Sequence, residues 1–133
     1  MRLLFVCVGN SCRSQMAEGI AKSLGYDADS AGTHPANEVS PNAIEVLNSR
    51  GIDTKSLHPK NIDIFNPHDY DLVISMGCGV SCPAIKIDQD WGLEDPVGQE
   101  LSVFENTADE IQRRIIDLQL SLIHISEPTR LSL

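Results

Sequence analysis

Residues 7–14 read CVGNSCRS and stand at a junction between two kinds of sequence pattern. Before them, residues 2–8 (RLLFVCV) form a nearly continuous apolar run, which is typical of a strand buried on both faces of a parallel sheet. After them, Met16, Ile20 and Leu24 recur every four residues and Gly25 follows, which is the pattern of a helix and its stop signal. The stretch therefore predicts a loop that leaves a buried strand and enters a helix.

The rest of the chain continues this alternation of strands and helices. Further strands are predicted at residues 27–33, 72–76 and 84–88, and residues 53–71 read as loop with a short helical piece. Because strands alternate with helices, the fold class is α/β, a three-layer α/β/α arrangement around a four-stranded parallel sheet with right-handed crossovers.

Two more helices follow from terminal signals and periodicity. Ser40-Pro41 is typical of an N-cap followed by proline at the first helical position, and Gly51 marks the end of that helix. Ser102 and Glu105 fit a capping box that would begin the last helix. Its predicted apolar face consists of Phe104, Ala108, Ile111, Ile115 and Leu118.

The bulk properties narrow the class of protein. A chain of 133 residues fits one domain, and a net charge of −9 argues against a nucleic-acid or anionic-membrane binder. No apolar run approaches the roughly 18 residues of a membrane span, and the N-terminus lacks the features of a signal peptide, so a cytoplasmic location is expected. In a reducing compartment, four cysteines indicate catalysis or metal binding rather than structural disulfides.

The C-terminal stretch differs in kind from the rest. Residues 120–130 read LSLIHISEPTR, which resembles the conceptual translation of a transposase sequencing adapter. We therefore expect the native domain to cover residues 1–119, with residues 120–133 a non-native tail that is left out of functional reasoning. A short natural tail after the last helix is the alternative.

The loop has the composition of an oxyanion cradle. Its backbone N–H groups and the N-terminus of the following helix favour an anion, and the Arg13 guanidinium offers a planar fork of donors for two oxygens. The same surroundings favour the thiolate form of Cys7, which makes Cys7 a candidate nucleophile; a structural cysteine at a strand end is the alternative. The residues predicted to bind the oxyanion are Val8, Gly9, Asn10, Ser11, Cys12, Arg13 and Ser14.

The other two cysteines lie in a second cluster, CGVSC, with Cys78 and Cys82 four residues apart. If the strands at 2–8 and 72–76 are neighbours, Cys7 and Cys78 lie at the same edge of the sheet. A fully extended segment would hold the Cα atoms of Cys78 and Cys82 about 13 Å apart, so a disulfide between them requires a tight turn. A zinc site is the competing interpretation, but it usually needs four protein ligands, and no second metal pair is evident.

Residues 7–22 (CVGNSCRSQMAEGIAK), with SAGTHP and DYDLVISMG further on, resemble the low-molecular-weight protein tyrosine phosphatase fold and, more closely, the arsenate reductases built on it. The resemblance covers nearly all of residues 1–119 and implies the strand order 2-1-3-4. It also implies that Asp95, in the Asp95-Pro96 pair, is the general acid, with Glu94 the nearest substitute. Val97 stands where the phosphatases typically place a tyrosine, which weakens the tyrosine phosphatase interpretation.

The arsenate reductase resemblance implies a thiol relay. Reduction of As(V) to As(III) takes two electrons, which a dithiol supplies when it becomes a disulfide. Cys7 would attack arsenate, Cys78 would attack Cys7 and release arsenite, and Cys82 would then attack Cys78. An external thiol would reduce the resulting disulfide; thioredoxin is the first expectation and a low-molecular-weight thiol is the alternative. No tightly bound cofactor and no metal are expected.

Three alternatives stay open on the sequence. A phosphatase would hydrolyse phosphate monoesters through a phosphocysteine and would need only one thiol. A non-catalytic module would bind oxyanions or sense redox state without turnover. Cys12, inside the loop, either forms a protective or sensing disulfide with Cys7 or simply fills space as a small residue.

Overall fold

The computed structural model describes residues 1–77, 87–94 and 96–126. Their centre is a four-stranded sheet in the order β2-β1-β3-β4, with every adjacent pair parallel. The strands are β1 (Arg2–Cys7), β2 (Asp27–Gly32), β3 (Leu72–Ser75) and β4 (Gln89–Asp90). The predicted fold class and strand order are confirmed, and β1 and β3 are neighbours as expected.

Three α-helices of the described residues pack on one another and on one face of the sheet. Alternate residues of β1, Leu3 and Phe5, point to this face and are fully buried there. The four apolar residues predicted for the last helix through Ile115 are buried, and Leu118 is partly buried against them. The helices are α1 (Arg13–Ser23), α2 (Pro41–Ser49) and α3 (Leu101–Ser126).

A smaller core covers the opposite face of the sheet. Leu4 and Val6 of β1 point to this side and pack with Ile62, Phe65 and Tyr70. The chain between α2 and β3 forms two short 3-10 helices here, Ile62–Ile64 and Pro67–Asp69, which matches the short helical piece predicted between residues 53 and 71. Both faces of β1 are therefore buried, which explains its continuous apolar sequence.

Two predicted boundaries are wrong in the described residues. The fourth strand was expected at residues 84–88, but Ile87 and Asp88 lie outside β4, whose two residues are polar and exposed; residues 84–86 lie outside the described part. The last helix begins at Leu101, so Ser102 lies inside the helix and is not its N-cap. By contrast, Ser40 is the N-cap of α2 with Pro41 at the first helical position, as predicted.

No helix in the described residues combines the length and apolar composition that crossing a membrane would require.

Candidate oxyanion site

The loop between β1 and α1 lines a cavity at the carboxyl edge of the sheet. The cavity has a volume of about 390 Å³. Val97, from the segment before α3, lies across from the loop and is largely exposed. The loop residues that line the cavity are Cys7, Val8, Gly9, Asn10, Ser11, Cys12 and Arg13. The structure thus brings together every predicted oxyanion-binding residue except Ser14, which lies against the Cys7 sulfur.

The loop carbonyls are held by the chain that follows β2. The N–H groups of His34, Ala36 and Ser40 donate to the carbonyls of Val8, Gly9 and Ser11 at 2.8–2.9 Å. In a trans peptide the N–H group points away from the carbonyl. The N–H groups of Gly9, Asn10 and Cys12 therefore point away from that segment, and because all three residues line the cavity the arrangement suits an anion.

Asn10, not Gly9, is the loop residue with left-handed backbone conformation, with φ of 50°. Gly9 is not among the residues with positive φ, and a Cβ there would meet Ser11 Oγ at an ordinary distance of 3.6 Å. Asparagine tolerates the left-handed region better than most residues, and its side chain is needed below the loop.

Two hydrogen-bonding groups converge on the Cys7 sulfur. The Asn10 backbone N–H donates to Cys7 Sγ at 3.1 Å, and Ser14 Oγ lies 2.8 Å from the same sulfur. Asn10 Nδ2 donates to Ser14 Oγ, which leaves the Ser14 hydroxyl hydrogen available to the sulfur. These two contacts hold the Cys7 sulfur at the cavity that it helps to line, as a nucleophile requires.

The network continues from Asn10 into the core. Asn10 Nδ2 also donates to Ser30 Oγ at 2.9 Å, and Ser30 Oγ donates to Glu18 Oε1 at 2.6 Å. The Lys60 backbone N–H donates to Asn10 Oδ1, and Lys60 Nζ lies 3.2 Å from Glu18 Oε1. Asn10, Ser14 and Ser30 are fully buried. The Asn10 amide thus has partners on both its oxygen and its nitrogen, which fixes its orientation.

Glu18 is a buried carboxylate held in its charged form. Burial by itself raises the pKa of Glu18, but hydrogen bonds from Lys22 and Ser30 and the nearby positive charge of Lys60 outweigh it, so the pKa is lowered. Lys22 Nζ lies 2.7 Å from Glu18 Oε2. The carboxylate is therefore a fixed acceptor at the deep end of the network.

Ser30, Glu18 and Lys60 were not predicted as site residues. They come from β2, α1 and the loop before the first 3-10 helix, and no local motif joins them. One signal was present: Glu18 follows Ser14 by four residues and so lies on the same face of α1. A charged residue on a buried helix face usually has a partner.

Arg13 closes the cavity from the first turn of α1. Its side chain is mostly buried, and Nη1 donates to the carbonyls of Met76 and Leu93 at 2.9 and 2.8 Å. One guanidinium nitrogen therefore links the loop to the chain after β3 and to the chain after β4. This fixes the position of a positive charge beside Cys7.

Three predicted catalytic residues, Asp95, Cys78 and Cys82, lie outside the described residues. Glu94, the suggested substitute for Asp95, lies in the described part and is exposed. Cys12 is buried, and its sulfur lies 3.6 Å from Ser11 Oγ. In the described residues, no group of three or more His, Cys, Asp or Glu side chains is arranged to hold a metal ion.

The family model for low molecular weight phosphotyrosine protein phosphatases matches residues 2–127. The chain belongs to this family. It is also similar to the glutaredoxin arsenate reductase of Synechocystis sp., with 43% identity over 88% of this chain and 95% of the relative.

The chain is similar to solved structures of both arsenate reductases and low molecular weight protein tyrosine phosphatases. An arsenate reductase in the phosphate binding state has a TM-score of 0.80 and 43% identity, covering 88% of this chain and 95% of its own. A low molecular weight protein tyrosine phosphatase from T. tengcongensis has a TM-score of 0.73 and 36% identity, covering 91% and 99%. The predicted resemblance to the low-molecular-weight phosphatase fold and, more closely, to the arsenate reductases built on it is confirmed.

Proposed function

We propose that this protein reduces arsenate to arsenite through a cysteine relay that begins at Cys7. The observation that carries the proposal is the convergence at Cys7: its sulfur accepts the Asn10 N–H, contacts Ser14, and lies in a cavity lined by the loop residues and Arg13. Such a cavity fits a tetrahedral oxyanion in reach of a thiolate. The similarity to arsenate reductases favours arsenate as that oxyanion.

In the proposed first step, the Cys7 thiolate attacks arsenic and an arsenate oxygen leaves as water, with Asp95 giving the proton. The product is a covalent thiol adduct of As(V). Arg13 and the loop N–H groups stabilise the negative charge on the remaining oxygens.

Cys78 then attacks the Cys7 sulfur. A Cys7–Cys78 disulfide forms, the sulfur–arsenic bond breaks, and its electron pair stays on arsenic, which leaves as As(III). Cys82 attacks Cys78, which frees Cys7 and leaves a Cys78–Cys82 disulfide. An external thiol returns the two electrons by reducing that disulfide. The roles of Asp95, Cys78 and Cys82 rest on the sequence and the family resemblance.

The reductant is proposed to be a glutaredoxin with glutathione. The name of the Synechocystis relative favours this donor over thioredoxin, which the sequence analysis placed first. Either donor would supply the same two electrons to the disulfide, so both belong in the test.

The test is arsenate-dependent NADPH oxidation, coupled in parallel through glutathione, glutaredoxin and glutathione reductase, or through thioredoxin and thioredoxin reductase. Turnover should disappear in Cys7→Ser and in Cys78→Ser. The control is Ser56→Ala, at an exposed position outside the cavity, which should keep turnover. Turnover that survives Cys78→Ser would contradict the relay.

The second candidate function is hydrolysis of phosphate monoesters, which the family model and the 36% identical phosphatase structure favour. It requires Cys7, Arg13 and an acid but no second thiol. Hydrolysis of p-nitrophenyl phosphate by Cys78→Ser at the wild-type rate, with no arsenate reduction by either protein, would favour the phosphatase.

A further inference from the structure

The Arg13 guanidinium approaches the backbone of Gly77 very closely. A Cβ built on Gly77 would lie 3.2 Å from Arg13 Nη1, 3.1 Å from Leu93 O and 3.2 Å from Leu93 N. All three distances are shorter than ordinary van der Waals contacts, so any side chain here would displace a neighbour by a few tenths of an ångström.

The neighbours of Gly77 have little freedom to move away. Leu93 O accepts from Arg13 Nη1, and Leu93 N donates to the carbonyl of Met76 at 3.2 Å. Met76 O also accepts from Arg13 Nη1. The guanidinium, the Met76 carbonyl and both polar backbone atoms of Leu93 thus form one closed hydrogen-bonded arrangement around the Gly77 backbone. A side chain at Gly77 would separate at least one of these pairs.

The Gly77 backbone also takes a conformation that favours glycine, with φ of 107°. The cost of this conformation to another residue can be measured separately, because Gly25 has a similar φ of 95° and a Cβ there would meet nothing within 4 Å. Gly25 lies at the end of α1, away from the cavity-lining residues. Alanine at Gly25 therefore reproduces the backbone strain without the contact to Arg13.

We infer that Gly77 is a positioning residue for oxyanion binding: its missing side chain lets Arg13 reach Met76 and Leu93 together, and this sets the guanidinium at the cavity. The inference rests on the proposed function only in taking a tetrahedral oxyanion as the ligand of the loop. A displaced guanidinium loses the alignment on which its charged hydrogen bonds depend. The hydrogen bonds from Asn10 and Ser14 to the Cys7 sulfur involve neither Gly77 nor its contacts.

The experiment compares wild type, Gly77→Ala and Gly25→Ala. Binding of inorganic phosphate is measured by calorimetry, and alkylation of Cys7 by iodoacetamide is followed by mass spectrometry without oxyanion present. Gly77→Ala should bind phosphate about tenfold more weakly than Gly25→Ala, with Cys7 alkylated at a rate within about twofold of the control. Equal phosphate affinity in the two variants would overturn the inference, and so would a parallel loss of Cys7 reactivity, which indicates general loosening of the loop.

A double-mutant cycle keeps the inference testable if Gly77→Ala folds poorly. In an Arg13→Ala background the added methyl no longer meets the guanidinium, so the stability cost of Gly77→Ala should fall, or folding should return. An unchanged cost would assign the effect to the backbone alone and overturn the inference. Phosphate binding by wild type without arsenate turnover would contradict the proposed reductase while leaving this comparison valid.

Discussion

The two ends of the sheet both carry hydrogen-bonded networks of charged and polar side chains, but only one is buried. At the carboxyl edge, Asn10, Ser30 and Glu18 are at most 2% exposed and connect to the Cys7 sulfur through Ser14. At the amino edge, Arg2 and Asp27 form an ion pair 3.0 Å long whose side chains are 44% and 66% exposed.

The amino-edge network is nonetheless rich in contacts. The Arg2 backbone N–H donates to Asp71, and the Arg2 guanidinium lies 4.7 Å from the centre of the Tyr70 ring. The Tyr70 hydroxyl donates to Asp29 at 2.6 Å. Burial raises the pKa of Tyr70, and this hydrogen bond raises it further, so the phenol stays protonated.

The two ends of the sheet differ in whether water can replace a lost hydrogen-bond partner. Water and salt screen the pair of Arg2 and Asp27, so losing it costs little. No water replaces a lost partner of Asn10 or Glu18, and a buried polar group without a partner is costly. We therefore expect the carboxyl-edge network to hold the loop in its binding conformation, and the amino-edge network to add little to stability.

The largest effect should come from Asn10→Ala. This change removes donors to Ser14 and Ser30, leaves the Lys60 N–H without its acceptor, and places alanine at a φ of 50°. The free energy of unfolding should fall by about 3 kcal/mol. Urea unfolding followed by fluorescence of the buried Trp91 measures it. The matched control is Asn37→Ala at an exposed position, and a loss no larger than in that control would show that the network does not stabilise the loop.

Glu18→Gln should have the next largest effect and should reveal the charge through its pH dependence. The variant keeps the shape but leaves Lys60 without a charged partner, so stability at pH 7 should fall by about 2 kcal/mol. Because the folded-state pKa of Glu18 is lowered from its ordinary 4.5, the carboxylate stabilises the fold above that pH, and the contribution is lost as the pH falls through the folded-state value.

Urea midpoints of wild type and Glu18→Gln, measured from pH 7 to pH 3, test this prediction. The two proteins should differ most at neutral pH and converge in acid. The exposed Glu45→Gln serves as the control and should follow wild type throughout. A gap between wild type and Glu18→Gln that stays constant with pH would mean that the Glu18 charge does not stabilise the fold.

A smaller effect is expected at the amino edge. Arg2→Ala removes the exposed ion pair with Asp27 and the contact with the Tyr70 ring, and should cost less than about 1 kcal/mol. The cost should shrink further in 1 M NaCl, because salt screens exposed charges. A salt-independent loss of stability as large as that of Glu18→Gln would mean that the networks at the two ends of the sheet stabilise the protein equally.

The sequence predicted the elements whose buried residues form a local hydrophobic pattern. Strands β1, β2 and β3 and the apolar face of α3 follow from periodicity, and the loop follows from the residues between Cys7 and Ser14. Strand β4 could not be found in this way, because Gln89 and Asp90 are polar and exposed and join the sheet only by pairing with Ile74 and Ser75. A hydrophobic pattern does not report pairing of that kind.

The sequence predicted the loop residues of the candidate site but not the buried residues that support the loop. Cys7 and Arg13 follow from a spacing within one loop. The support of Asn10 comes from Ser30 and Lys60, which are 20 and 50 residues away in the chain and meet it only in the fold.

The smallest effect is expected from removal of residues 120–133, which we propose are not native. Helix α3 continues through Ser126; among its side chains that the structure describes, in residues 101–120, the fully buried apolar ones are Phe104, Ala108, Ile111 and Ile115, and Leu120 is 53% exposed. A chain that ends at Gln119 keeps these contacts and the hydrogen bond from Gln119 to the Leu24 carbonyl. Its free energy of unfolding should stay within about 0.5 kcal/mol of the full chain, with unchanged arsenate turnover.

The control for this truncation is a chain that ends at Arg114, which also removes the buried Ile115 and should lose more than about 2 kcal/mol. Thermal and urea unfolding of the three chains compare the two cuts directly. If ending at Gln119 destabilises the protein as much as ending at Arg114, then residues 120–133 belong to the folded domain, and their resemblance to an adapter translation is coincidental. If only the shorter chain loses stability, the buried residues of α3 up to Ile115 stabilise the domain and residues 120–133 add nothing measurable to it.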